Sequence, residues 1–140
     1  MIVKTYINHE NDFWCKMGKF FAFRDYMHEM GGWQFYSKEG SIWFVATIDE
    51  KVVGFCSLIK ERTHLFFDNF YVLKQYRGQR ILSLLFEKGL KVALESKKEI
   101  RAITDNPIMI KKFGSVGFEY YGNRGRYKKY KLKNDGANRD

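Results

Sequence analysis

The residues most able to do chemistry in this chain lie in Gln75-Tyr76-Arg77-Gly78-Gln79-Arg80. The segment joins an apolar run to a helical pattern and holds one glycine and two guanidinium groups. A turn at that place aims unpaired backbone N–H groups at the positive end of a helix dipole. Such a turn holds a phosphate or pyrophosphate without needing any particular side chain. Just upstream, Asp68 is a lone carboxylate within THLFFDNFYVL. It is either a proton acceptor in an apolar setting or a surface or ion-paired residue at a bulge. His64 stands four residues before it and shares its strand parity. No set of His, Cys, Asp and Glu has metal-ligand spacing, so no metal is expected. No Ser-His-Asp or Cys-His pairing stands out for nucleophilic catalysis.

These groups need elements to hold them. The first strand is expected at Ile2–Ile7, with Asn11 or Asp12 as a helix cap. Apolar residues at three- and four-residue steps from Phe13 to Met30 predict one long helix, or two broken near Gly18, ending at Gly31-Gly32. The aromatic residues of this region read as a core stripe or as the wall of a binding slot. Ser41–Ile48, Val52–Ile59 and Thr63–Leu73 predict a three-stranded meander, with Gly54 marking close packing or a bulge. The polar turn at 75–80 then leads into a helix over Ile81–Glu95. A strand follows at Glu99–Thr104, and a helix opens at Asn106-Pro107. Two last strands are expected at Phe118–Tyr121 and Arg126–Leu132, joined by a turn over Gly122–Gly125.

The fold class is therefore α/β in the α+β sense. It is a mixed, mostly antiparallel sheet of six or seven strands, with helices on both faces. The strand–helix–strand step from Thr63–Leu73 to Glu99–Thr104 requires one parallel pair inside it. The 140 residues suit a single domain over 1–133 with a polar tail at 134–140. Cys15 and Cys56 are too few for a disulfide framework and read as reduced core thiols in a cytoplasmic protein. The start, Met1-Ile2-Val3-Lys4, has no apolar leader, and no run approaches the length of a membrane span. The net charge of +9 favours polyanionic partners.

Three motifs give this chain a family likeness. Lys51–Ile59 (KVVGFCSLI) is similar to a hairpin strand written x-x-V-G-F. Gln75-x-x-Gly78-x-Arg80 is similar to a [Q/R]-x-x-G-x-[G/A] loop before a helix. Asn106 opens a helix that Gly117-Phe118 closes. In this order, and with these elements between them, they resemble the GNAT superfamily of N-acyltransferases over Ile2 to about Leu132. The resemblance implies a splayed central parallel strand pair that holds acetyl-coenzyme A. It implies binding through Phe70, Tyr71, Val72, Arg77, Gly78, Gln79, Arg80, Ile81, Asn106 and Phe113. It implies direct attack by an amine acceptor, small molecule or protein, on the thioester, with Asp68 as the base.

Two residues depart from the family pattern. Arg80 stands where a small residue is usual, and is either an extra phosphate contact or a solvated arginine. Phe113 stands where the family often has a tyrosine that protonates the leaving thiolate, and phenylalanine has no proton to give. Tyr120 is the proposed replacement acid, with Tyr121 as an alternative; both also fit as ordinary strand aromatics.

The C-terminal stretch carries a separate signal. Seven basic residues among the last nineteen (Arg124, Arg126, Lys128, Lys129, Lys131, Lys133, Arg139) face two aspartates, and Tyr127 and Tyr130 interleave with them. Such a stretch suits a nucleic acid, as in DNA-modifying enzymes of the Mom type that share the family likeness. It equally suits a solvated edge strand guarded by lysines. A third reading is a non-catalytic binding module on the same fold, and the chain is expected to act as a monomer or homodimer.

Overall fold

A computed structural model of the chain describes residues 1–29 and 34–134. The expected helix end at Met30-Gly31-Gly32, and the tail beyond Asn134 with Asp135, Arg139 and Asp140, lie outside the described residues. In chain order the elements are β1 (Ile2–Ile7), α1 (Phe13–Ala22), α2 (Arg24–Glu29), β2 (Ile42–Ile48), β3 (Lys51–Lys60) and β4 (His64–Val72). A 3-10 turn (Lys74–Tyr76) follows, then α3 (Ile81–Glu95), β5 (Glu99–Thr104), α4 (Pro107–Ser115), β6 (Glu119–Arg124) and β7 (Tyr127–Leu132).

Among the described residues the strands form one sheet, in the order β1-β2-β3-β4-β5-β7-β6. Every neighbouring pair is antiparallel except β4 and β5. That parallel pair is short: His64, Leu65 and Phe66 match Glu99, Ile100 and Arg101, and pairing stops there. From residue 67 onward β4 has β3 on one side only, and β5 turns to β7 on its other side. The two strands therefore open into a V.

Alternation along the strands explains the two covered faces. Trp43 and Phe55 meet α1, their rings 5.4 Å from Phe13 and 4.9 Å from Phe20 respectively. Their neighbours Phe44, Gly54 and Cys56 face α3. The Cys56 thiol donates to the Leu85 carbonyl, and its burial pushes the thiol pKa up. Gly54 is needed for a close approach. A Cβ there would lie 3.0 Å from the Tyr71 carbonyl oxygen and 3.3 Å from Ile81. The glycine lets the end of β4 and the start of α3 settle together.

β4 carries a bulge. Phe55 pairs with Tyr71 and Ser57 with Asp68, so β4 spends one more residue than β3 over this stretch. Asn69 sits there with φ 59°, in the left-handed region that asparagine tolerates. The bulge keeps Phe67 and Phe70 on one face, ring to ring at 4.7 Å and both beside Phe86. Asp68 and Tyr71 are thereby turned to the opposite face.

Several expectations need correction. The first helical region breaks at Phe23, not at Gly18, where α1 runs on with open space around the glycine. Asp12 caps α1 by position only, because its carboxylate accepts from the Tyr6 hydroxyl at 2.9 Å. Cys15 is exposed rather than a core thiol. β6 continues through Gly122 to Arg124, and the extra residue forms a bulge at Tyr121. The edge strand is β6, so the lysines of β7 lie on an inner strand. No helix among the described residues is long and apolar enough to cross a membrane.

Candidate active site

The V between β4 and β5 holds a cleft of about 700 Å³. Its walls come from the second half of β4, the turn after it, the first turn of α3, the end of β5 and the first half of α4. Arg126-Tyr127 and Glu29 complete it. Nine of the twelve residues singled out in the sequence line it: Asp68, Phe70, Tyr71, Val72, Arg77, Gly78, Arg80, Ile81 and Asn106.

One end of the cleft is built from backbone. Gly78 has φ 83° and Arg80 φ 66°, so the chain makes two left-handed steps before α3 begins. Arg80 is the N-cap, yet no side chain caps the helix and its first turn holds no acidic residue. The first backbone bond back to this cap comes from the Leu84 N–H. The N–H groups before it lack helical acceptors and sit at the positive pole. Lys112 reaches over from α4, its Nζ donating to Ser83 Oγ at 2.5 Å. Arg80 and Lys112 thus add two positive charges to a pole that is already positive. Such a pole favours an anion over a cation.

The other end is built from side chains. Asp68 is 7 % exposed. Burial pushes its pKa up to about 6, partly offset by a bond from the Asn69 backbone N–H. Asn69 is buried beside it. Its amide donates to the Tyr36 carbonyl at 2.7 Å and to Ser57 Oγ at 2.7 Å, and its Oδ1 accepts from the Tyr36 N–H at 3.0 Å. The loop before β2 is thereby fixed to the bulge. Tyr71 donates to Glu29 Oε2 at 2.7 Å; burial first, and that bond second, raise its pKa.

Arg77 lies in the loop before α3, and its guanidinium is engaged by β4 and α2. Its Nε donates to the Val72 carbonyl at 2.8 Å, and its terminal nitrogen pairs with Glu29 Oε1. The guanidinium also sits 5.6 Å from the Tyr71 ring centre. Asn106 lines the cleft while its Oδ1 accepts from the Ile108 N–H at 2.8 Å, capping α4.

Three expected positions fall outside the cleft lining. Gln79 is exposed on the loop. Phe113 is fully buried, within ring contact of Phe70, Phe86, Phe118 and Tyr130, because the apolar face of α4 turns it into the core. Tyr120 is 53 % exposed on the edge strand and donates to Asn123. Tyr121 packs under Lys129 and Lys131. His64 faces the same side as Asp68 but stands at the closed end of the V, beside Thr63. Burial first, and the Arg101 charge second, lower its pKa. Among the described residues no cluster of His, Cys, Asp and Glu could hold a metal.

Glu29, Asn69 and Lys112 were not found by sequence reasoning. Asn69 left a faint signal, an asparagine inside an apolar strand, where that residue often marks a left-handed step. Glu29 and Lys112 left none, since their roles depend on partners 48 and 29 residues away.

Solved structures share this fold. The N-acetyltransferase PaiA from Thermoplasma acidophilum, solved in complex with coenzyme A, aligns at 18 % identity over 65 % of this chain, with a TM-score of 0.57. This chain spans 59 % of that protein's length. Escherichia coli ElaA aligns at 12 % identity over 93 % of this chain and 99 % of its own, with a TM-score of 0.71. An acyl-CoA N-acyltransferase from Pseudomonas aeruginosa aligns at 10 % identity over 93 % and 96 %, with a TM-score of 0.72. No curated protein matches by sequence. These identities establish the fold, and a family model described as Acetyltransferase (GNAT) family matches residues 7–118. With that match spanning most of the sheet and the whole of the V, the chain belongs to the acetyltransferase (GNAT) family.

Proposed function

We propose that this protein is an N-acetyltransferase that takes its acetyl group from acetyl-coenzyme A and gives it to an amine in the β4–β5 cleft. The observation that carries the reading is the uncapped N-terminus of α3, facing the cleft between Arg80 and Lys112 with no acid in its first turn. That pole fits the pyrophosphate of coenzyme A, the ligand held by the Thermoplasma relative. Gly78, Arg80, Ile81 and Lys112 would hold it, with Gln79 contributing backbone. Acetyl-coenzyme A supplies the acetyl group already activated as a thioester.

The chain's own residues then have few tasks. Beyond the bulge β4 has no strand on the cleft side, so main-chain groups near Phe70–Val72, other than the Val72 carbonyl that accepts from Arg77, are available to orient the acyl group. A preorganised N–H aimed at a developing oxyanion is worth roughly 3–4 kcal/mol in acyl transfer. Asp68 takes the proton from the amine. A base with a pKa near 6 is mostly ionised at pH 7 yet still basic, which suits proton transfer. No side-chain acid is assigned. A cysteine-like thiol has a pKa of about 8.5, so the chain need not supply a side-chain acid to a departing thiolate of that kind. Phe113 cannot donate, and the Tyr71 hydroxyl is committed to Glu29.

Two unpaired cysteines, one of them exposed, suit a reducing, cytoplasmic setting. A second reading makes the acceptor a nucleic acid. It is favoured by Tyr121, whose ring lies 4.7 Å from the Lys129 ammonium and 5.2 Å from that of Lys131. Against it, Glu119 stands opposite Lys131, and Arg126 pairs with Asp105 at 3.2 Å. Filter binding at two salt concentrations tests it, since an affinity indifferent to salt removes the electrostatic basis.

Calorimetry with acetyl-coenzyme A, followed by thiol release against a panel of primary amines, tests the main reading. Micromolar binding with amine-dependent thiol release is expected. Absence of binding at high micromolar ligand overturns it, and binding without turnover for any amine favours a non-catalytic module.

A further inference from the structure

Helix α2 is only six residues long, too short to be stable alone. Among its described side chains, Tyr26 and Glu29 fasten it. The Tyr26 ring lies 4.7 Å from that of Phe20 and 5.8 Å from that of Tyr71. Glu29, the last residue of α2, is held by the Tyr71 hydroxyl through one carboxylate oxygen and by Arg77 through the other. Arg77 belongs to the loop that leads to the α3 pole, and it lines the cleft together with Glu29 and Tyr71. The guanidinium is positioned by three partners at once: the Glu29 carboxylate, the Val72 carbonyl and the face of Tyr71.

From this arrangement we infer that Glu29 is a positioning residue that couples the anion-binding loop to the α2 wall of the cleft. It does so by gripping Arg77 and Tyr71 together. Arg77 has the loop residue's sequence position, and its guanidinium is engaged by β4 and α2. When an anion orders the loop from Tyr76 to Arg80, Arg77 is ordered with it, and α2 is pinned through Glu29. Coupling of this kind is reciprocal: a filled acceptor slot that orders α2 tightens the loop on its anion. The inference deepens the acetyl-coenzyme A reading and rests on it.

Amide hydrogen exchange, with and without coenzyme A, tests the coupling without knowledge of the acceptor. In the unaltered protein, saturating coenzyme A should slow exchange in residues 24–29 at least threefold. In Glu29→Gln that ratio should fall to about one, while the affinity for coenzyme A changes less than threefold. Arg77→Met should give the same loss of ratio, and Glu29→Asp should restore part of it. A merely structural Glu29 predicts something else: Glu29→Gln would speed exchange in α2 equally with and without ligand, leaving the ratio intact. That result overturns the inference. So does an α2 that does not respond to coenzyme A in the unaltered protein. If coenzyme A does not bind that protein at all, the functional reading falls and the inference with it. Binding without an α2 response removes the inference alone.

Discussion

The two ends of the cleft are built in opposite ways. At the α3 pole the working groups are backbone N–H groups, presented by two left-handed residues and the start of a helix. At the α2 end they are side chains, Asp68, Asn69, Tyr71 and Glu29, brought together from two elements. A backbone site depends on local conformation and tolerates most side chains. A side-chain site depends on identities at positions far apart in sequence. Binding of a common cofactor suits the first construction, and discrimination among acceptors suits the second. Substitutions at the two ends should therefore fail differently: at the pole in cofactor affinity, at the α2 end in rate.

The largest effect should come from the side-chain end. Asp68→Asn is expected to lower kcat by about 10² to 10⁴-fold with little change in coenzyme A affinity. Unchanged turnover would remove Asp68 as the base. Stability should move the other way. The Asp68 pKa is raised from 3.8 to about 6 in the folded chain. Between those values the folded state holds a proton that the unfolded state has released. Stability is therefore full below about pH 4 and falls as pH rises through 6, by about 3 kcal/mol in all. Asparagine removes that loss, so the variant should be more stable at pH 7 by about 1–3 kcal/mol, as thermal unfolding would show. The acylation rate of the unaltered protein should rise with pH through about 6.

The backbone end breaks through packing. Gly54→Val places new carbon against the Tyr71 carbonyl, 3.0 Å from a Cβ there, and against Ile81 at 3.3 Å. Overpacking of this kind costs about 1–3 kcal/mol. It also pushes apart the two elements that form the pole. Denaturant unfolding should show the cost, and calorimetry should show roughly tenfold weaker coenzyme A binding. If stability falls while affinity holds, the pole does not depend on how β4 and α3 are seated.

The same contrast decides what could be read from the sequence. Helix α3 and strands β1 and β5 lie where the apolar periodicity puts them, because local pattern and burial agree there. The start of α3 was legible too, since the polar turn at 75–80 separates an apolar strand from a helical pattern. Where local and long-range demands part, the reading slipped. Gly18 reads as a breaker, but nothing crowds α1 there, so the helix runs through at the modest cost of a glycine in its interior. Gly122 reads as a turn, but β6 absorbs it beside a bulge, because pairing with β7 outweighs the local signal. Nothing near residue 29 hints at Arg77 or Tyr71. By its place in the loop Arg77 reads as a cofactor residue, and its bonds to Glu29 and to the Val72 carbonyl are invisible at that level.

Phe113 sharpens the comparison from outside the cleft. The family likeness suggests that tyrosine here would restore a proton donor. The burial of Phe113 among four aromatic rings says otherwise. Phe113→Tyr should bury a hydroxyl with no partner in that ring cluster, costing about 1–3 kcal/mol, and should leave the rate unchanged. A rate gain of tenfold or more would mean that the hydroxyl reaches the reacting atoms.

Arg80 sets conformation against charge at a single position. An arginine with φ 66° carries a left-handed cost of about 1 kcal/mol that glycine avoids. A helix N-cap is also a poor place for a cation unless an anion sits there. Arg80→Gly should therefore stabilise the free protein by about 1 kcal/mol and weaken coenzyme A binding by about five- to tenfold, a loss that shrinks as salt rises. Arg80→Ala separates the two contributions, since it removes the charge and keeps a side chain in the left-handed conformation. It should lose the same affinity while gaining only the few tenths of a kcal/mol that come from removing the charge. If both variants bind as the unaltered protein does, the arginine is a solvated passenger and the pole works through its backbone alone.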